Sequence, residues 1–109
     1  MADTFSKIMQ GDEYSLLISV STEDDEPIET MFSDIELSFG NTLRKTLQGG
    51  GIKYDADLGK FKVYIAQAET FGLKSKERMQ IRFKFNSGEV VGVDAGVYDV
   101  SQSISKVVL

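Results

Sequence analysis

Carboxylates are the side chains with the most chemistry open to them in this chain, and their spacing uses little of it. Four acids run consecutively at Glu23-Asp24-Asp25-Glu26, inside the stretch Ser21 to Pro27 that holds the only proline. A hard divalent cation takes oxygen ligands converging from several directions, and four neighbouring side chains do not converge by themselves, so the run reads as a solvated loop. Asp55 and Asp57, with Gly59 following, look like the start of a calcium loop. Lys60 then stands where oxygen ligands should continue, and no glutamate closes the loop at its twelfth position. A hairpin turn accounts better for these aspartates, which accept backbone hydrogen bonds there and tolerate left-handed φ angles.

For hydrolysis the candidate pairs are Glu69 with Glu77 and Asp94 with Asp99. Two carboxyl groups cleave glycosides only in a cleft deep enough to hold the sugar, which a small domain seldom offers. The chain has no histidine, cysteine or tryptophan, which removes imidazole catalysis, thiolate nucleophiles, histidine or cysteine metal sites and disulfides. No hydroxyl stands beside a recognisable base, and the GxSxG elbow is missing. Gly40, Gly88, Gly92 and Gly96 form no phosphate-binding pattern. The expectation is a protein that is not an enzyme, carries no cofactor and no metal, and works by binding.

Charge narrows what it binds. Lys+Arg 12 against Asp+Glu 17 gives a net charge of -5. Residues 1–33 hold eight acids and one lysine, whereas residues 34–109 hold nine acids and eleven bases. Lys60, Lys62, Lys74, Lys76, Arg78, Arg82 and Lys84 make the middle locally basic. On a barrel such residues, interleaved with Tyr64 and Phe71, would suit single-stranded nucleic acid. Net acidity favours instead a solvated sheet face, or an interface complementary to the acidic first third, and no nucleic acid is expected as a partner. The opening MADTFSKIMQGDEY lacks a positive region followed by an apolar stretch, and no apolar run approaches the roughly 18 residues of a membrane span. A soluble product made in the cytoplasm, with no membrane partner, is expected.

The elements that would position these groups are strands. A period of two puts Tyr14, Leu16, Ile18 and Val20 on one face, and Ile35, Leu37 and Phe39 on another. Phe61, Val63 and Ile65 alternate with Lys62 and Tyr64, and Met79, Ile81, Phe83 and Phe85 alternate with Gln80, Arg82 and Lys84. Asn86-Ser87-Gly88 reads as a hairpin loop, with Gly88 free to take a positive φ. Strands are predicted near 13–21, 34–40, 43–47, 51–55, 60–66, 79–86 and 89–94, with a short one at 97–100. Helix is limited to a turn in Gln67 to Leu73 that crosses between sheets, a short terminal turn at Ser101 to Val107, and residues 2–9, where Phe5, Ile8 and Met9 sit at helical spacing but an arm reads equally well. The fold class is therefore all-β: an antiparallel β-sandwich of about seven strands with little helix. Residues 1–10 are expected as a flexible N-terminal arm and 11–109 as a single sandwich domain.

Several pieces in order also carry a resemblance. Gly11-Asp12 precedes the first strand, Lys53-Tyr54-Asp55 leads to Gly59-Lys60-Phe61, and FKVYI runs into Gln67-Ala68-Glu69-Thr70-Phe71. Met79 to Phe85, Gly88, Val90-Val91, Asp99-Val100 and the terminal Ser103 to Leu109 follow. In this order the sequence resembles small structural proteins of tailed bacteriophages and prophages of Gram-positive bacteria, although Ala66 and Ala68 flank Gln67 where that family often has a polar residue and an acid. The resemblance implies a non-enzymatic virion or tail-assembly component of the tail or baseplate, an immunoglobulin-like or baseplate-like β-sandwich made in the host bacterial cytoplasm. Its partners would be other phage structural proteins and further copies of itself. Gln67, Thr70, Gln80, Arg82 and Gly88 are expected as scaffold residues. Val107, Val108 and Leu109, with the arm Met1 to Gln10, are candidate docking segments. The alternative is a small carbohydrate- or receptor-recognition sandwich, for which Tyr98 is the candidate exposed aromatic.

Overall fold

Strands with one apolar and one polar face gain stability when their apolar faces meet, and here they meet between two sheets. The computed structural model describes residues 5–20, 28–105 and 107–109, with residues 5–7 described by their backbone. The loop Ser21 to Pro27, its acidic run Glu23 to Glu26, and residues 1–4 of the expected arm lie outside the described residues. Eight strands follow in chain order: β1 (Phe5–Met9), β2 (Tyr14–Ile18), β3 (Phe32–Phe39), β4 (Leu43–Thr46), β5 (Ile52–Asp55), β6 (Lys60–Ile65), β7 (Lys76–Phe85) and β8 (Val90–Ser101). A 3-10 turn at Ile28–Thr30 leads into β3, and a single helical turn, α1 (Gln67–Thr70), links β6 to β7.

The fold is all-β. One sheet has five strands in the order β1-β8-β7-β3-β4, and the other has three in the order β2-β6-β5. The alternation seen in the sequence sets which side chains turn inward. Ile35, Leu37 and Phe39 from β3, Met79 from β7, and Phe61, Val63 and Ile65 from β6 are buried together with Ile18, Ile52 and Leu73. Burying such a side chain is worth roughly 1.5–3 kcal/mol each, so these strand faces carry the fold. Phe32 packs against Phe61, Phe83 and Phe85 at ring-centroid distances of 6.0, 5.0 and 5.1 Å, which joins the two sheets at one end.

The structure corrects the sequence expectations in four places. Phe5–Met9, assigned to the flexible arm, is a strand paired with β8 from Phe5↔Val97 to Met9↔Ser101, and Ile8 is buried. That pairing is parallel, so the five-stranded sheet is not antiparallel throughout. The segments expected at 89–94 and 97–100 are one strand, because an irregularity opposite Arg78 to Gln80 absorbs the extra residue beside Gly96 without breaking the ladder. The terminal helical turn expected at 101–107 does not form among the described residues, where β8 runs on to Ser101.

Candidate interaction surface

Where the chain leaves one sheet for the other, α1 places Thr70 in the interior. Its hydroxyl accepts from the Gly11 N–H at 2.9 Å and lies 2.9 Å from the Asp12 carbonyl and 2.8 Å from that of Gln67, either of which takes its one proton. Gln10 completes a clasp around it. Its amide donates to the Leu73 carbonyl at 3.0 Å and the Phe71 carbonyl at 3.3 Å, while its oxygen accepts from the Ser103 N–H at 3.1 Å. Gly11 belongs to the same clasp: it has φ 88°, and a Cβ there would lie 3.1 Å from the Phe71 ring, so a side chain is excluded twice. Glu69 stabilises the turn from the other side, accepting from the Ala66 N–H at 2.9 Å and pairing with Lys45. Burial pushes the Glu69 carboxyl up, but hydrogen bonds from Lys45 and Ala66 and the lysine charge outweigh it and hold it below its ordinary value.

The outer face of the five-stranded sheet is a set of paired charges. Glu36 on β3 stands between Arg82 on β7, whose Nε is 2.7 Å away, and Arg44 on β4. Burial raises the Glu36 carboxyl, but the two guanidinium groups more than reverse this and hold it low. Arg78 pairs with Asp94, whose carboxyl is lowered by that hydrogen bond, and Lys76 pairs with Asp99 at 3.2 Å. Gln80 is exposed in the same row, opposite Ser38 and Asp94. The carboxylate pairs weighed for hydrolysis are thus engaged: Asp94 and Asp99 by cations, Glu69 by Lys45. Glu77, itself buried, accepts from the Thr42 hydroxyl at 2.7 Å and the Lys74 N–H at 2.8 Å. Every ion pair among the described residues draws its acid from Glu36, Glu69, Asp94 or Asp99, all within residues 34–109.

The other sheet shows a different outer face. Lys53 stands directly opposite Lys62 across β5 and β6, both exposed and neither in an ion pair among the described residues. They border an open cleft of about 330 Å³ shared with Lys45, Gly50, Gly51 and Tyr64. Among the described residues no group of three or more acids is placed to hold a metal ion. Among the described residues no helix is long and apolar enough to cross a membrane.

Among the described residues, exposed apolar side chains cluster in two places, apart from the single exposures of Met9, Leu17, Leu58 and Tyr64. Gly88 closes the β7–β8 loop with φ 96° and open space around it, so its role there is backbone conformation. Beyond it, Val90, Val91 and Val93 of β8 are 53%, 41% and 47% exposed. At the C-terminal end Ile104, Val107, Val108 and Leu109 are exposed, and the Leu109 N–H donates to the Gln67 side-chain oxygen at 2.9 Å. The Gln67 side chain is thereby brought to the tail, while its backbone carbonyl faces the Thr70 hydroxyl. Tyr98, the aromatic considered for sugar recognition, packs edge-on against Phe39 at 5.3 Å and is half-buried. Sequence reasoning missed Gln10, Glu36 and the β8 valines as a group, and took Glu77 only as half of a hydrolytic pair. For Glu77 the signal was present, since the alternation through Met79, Ile81 and Phe83 extends inward to it.

Comparison with protein-family models gave no match, and no curated protein matched either. Among solved structures, the fibronectin(III)-like modules of Clostridium thermocellum CbhA superpose with a TM-score of 0.53 at 12% sequence identity. The match covers 91% of this chain and 42% of that one, so the chain corresponds to less than half the length of its structural neighbour. At that identity the likeness is one of fold alone: an all-β chain, with sheets of five and three strands, that has a fibronectin(III)-like structural neighbour.

Proposed function

We propose that the chain is a non-enzymatic structural protein of a tailed bacteriophage or prophage particle. In this reading it is an immunoglobulin-like sandwich placed in the tail or baseplate and acting through contacts with other particle proteins. The observation that carries the contact role is the unequal use of the surface. The outer face of the large sheet spends its charges on one another, whereas the apolar end formed by Ile104, Val107, Val108 and Leu109 stands in solvent and is held in place by Gln67. An exposed, contiguous apolar segment is what a partner surface would cover. The phage assignment is supported by the ordered sequence pieces from Gly11 to Leu109 and is compatible with a sandwich of this size.

Mass spectrometry of purified particles from a producing host tests it. The chain is expected among the particle proteins, and deletion of residues 107–109 should lower its incorporation severalfold. Absence from the particles would overturn the virion assignment, and undiminished incorporation of the truncated chain would overturn the docking role of the tail. The recognition-module alternative needs an aromatic platform, and Tyr98 is spent on Phe39.

A further inference from the structure

β8 is twelve residues long, yet its two edges are unequally used. β7 pairs with it from Val90 to Asp99, whereas β1 reaches only Val97 to Ser101. Among the described residues no strand lies against the other side of Val90 to Ala95.

The direction of the backbone groups there follows from the hairpin. The Phe85 N–H donates to the Glu89 carbonyl at 2.8 Å, so Glu89 faces β7, and by alternation Val91 and Val93 do too. Val90, Gly92 and Asp94 therefore turn their N–H and C=O groups to the open side. Such an edge is usually blunted by lysine, proline or a short strand. Residues 90–95 contain neither lysine nor proline, and three exposed valines occupy both faces.

We infer that this edge pairs with the same edge of a second copy of the chain, antiparallel about Gly92, which deepens the contact role proposed above by naming one partner. Parity permits the two-fold axes that pair outward residues with outward residues, and of these the axis through Gly92 engages all three outward residues of each copy. Gly92 meets Gly92 of the other copy, and Val90 meets Asp94, as hydrogen-bonded pairs, satisfying the outward groups of both copies with about six bonds. Val91 then lies opposite Val93 on the inner face, so each copy covers the other's exposed valines. Gly92 presents no side chain at the axis, and a Cβ there would have only the Arg82 Cγ nearby, at 3.7 Å. The pairing ends where Phe5 of β1 takes over at Val97, and it joins the two five-stranded sheets into one. A contact this small belongs to the weak class of interfaces, to be read at high concentration.

The test is sedimentation velocity with amide hydrogen exchange on the full chain between about 10 µM and about 1 mM. A dimer is expected at the upper end, with the Val90, Gly92 and Asp94 amides slowing as it forms. Gly92→Pro removes an outward N–H, which an edge tolerates, and Val93→Lys places a charge at the seam. Each should raise the dimer dissociation constant at least about tenfold. A monomer at every concentration, a dimer that neither variant weakens, or outward amides already slow in dilute solution, meaning an edge filled within one chain, would each overturn the inference. A monomer that still enters particles leaves the proposed function standing, and a dimer absent from particles does the reverse.

Discussion

Replacing Thr70 by valine keeps the shape of the side chain and removes only the hydroxyl. The wild-type hydroxyl accepts from the Gly11 N–H and donates to the Asp12 or Gln67 carbonyl, in a residue with no solvent exposure. After the change the Gly11 N–H has lost its acceptor and one carbonyl its donor, with valine methyls in place of both. Leaving a buried group unpaired costs about 1–3 kcal/mol, and because these bonds are only part-buried the two losses together should total roughly 2–4 kcal/mol. That is a large share of the roughly 5–15 kcal/mol available to a domain of this kind. Thr70→Ser keeps the hydroxyl and removes one methyl, at about 1 kcal/mol. Urea unfolding followed by circular dichroism measures both, with an unchanged slope identifying a stability effect. Hydrogen exchange at the Gly11 amide locates it. The reasoning is refuted if Thr70→Val unfolds within about 0.5 kcal/mol of the wild type, or if Thr70→Ser is the worse of the two.

Two further outcomes follow from the charged faces. The Glu36 carboxyl is held below its ordinary value when folded, so the stability it contributes is complete above the unfolded carboxylate pKa, near about 4.3, and is lost as pH falls through the lower folded value. Glu36→Gln should therefore be the less stable protein at neutral pH and should converge with the wild type in acid, which thermal melts across a pH series would show. On the other sheet, Lys62→Glu turns the like-charged pair with Lys53 into an opposite-charged one. It should raise stability by about 0.2–1 kcal/mol at low salt, shrinking as salt is added.

The strands that alternate cleanly were legible because one face must be apolar for the sheets to meet: Phe61, Val63 and Ile65, or Met79, Ile81 and Phe83, announce themselves. β1 was not legible, since FSKIM is short and takes its place only from β8, far along the chain. Gln10 and Glu77 are polar residues in buried positions, and what permits their burial is a set of distant partners, Leu73 and Ser103 for one and Thr42 and Lys74 for the other. Thr70 and Gln67 were placed at the crossover by their own chemistry, but the tail that Gln67 holds could not be read from its neighbours. The open edge of β8 was invisible for a related reason: edges are a property of strand order, which composition and periodicity do not carry.

The pairing of β1 with β8 also sets an order in time. β1 is made long before its sheet neighbour and finds it only after Val97 to Ser101 have been made, and Gln10 waits longer still for Ser103. Contacts this remote in sequence slow folding, because the chain must be closed before they reward it. During synthesis the nascent chain therefore holds Ile8 without its partner strand, and the clasp around Thr70 closes as one of the last events. The clasp closes only with Ser103, so a chain cut short before Ser103 should accumulate as an unclasped species that proteases recognise.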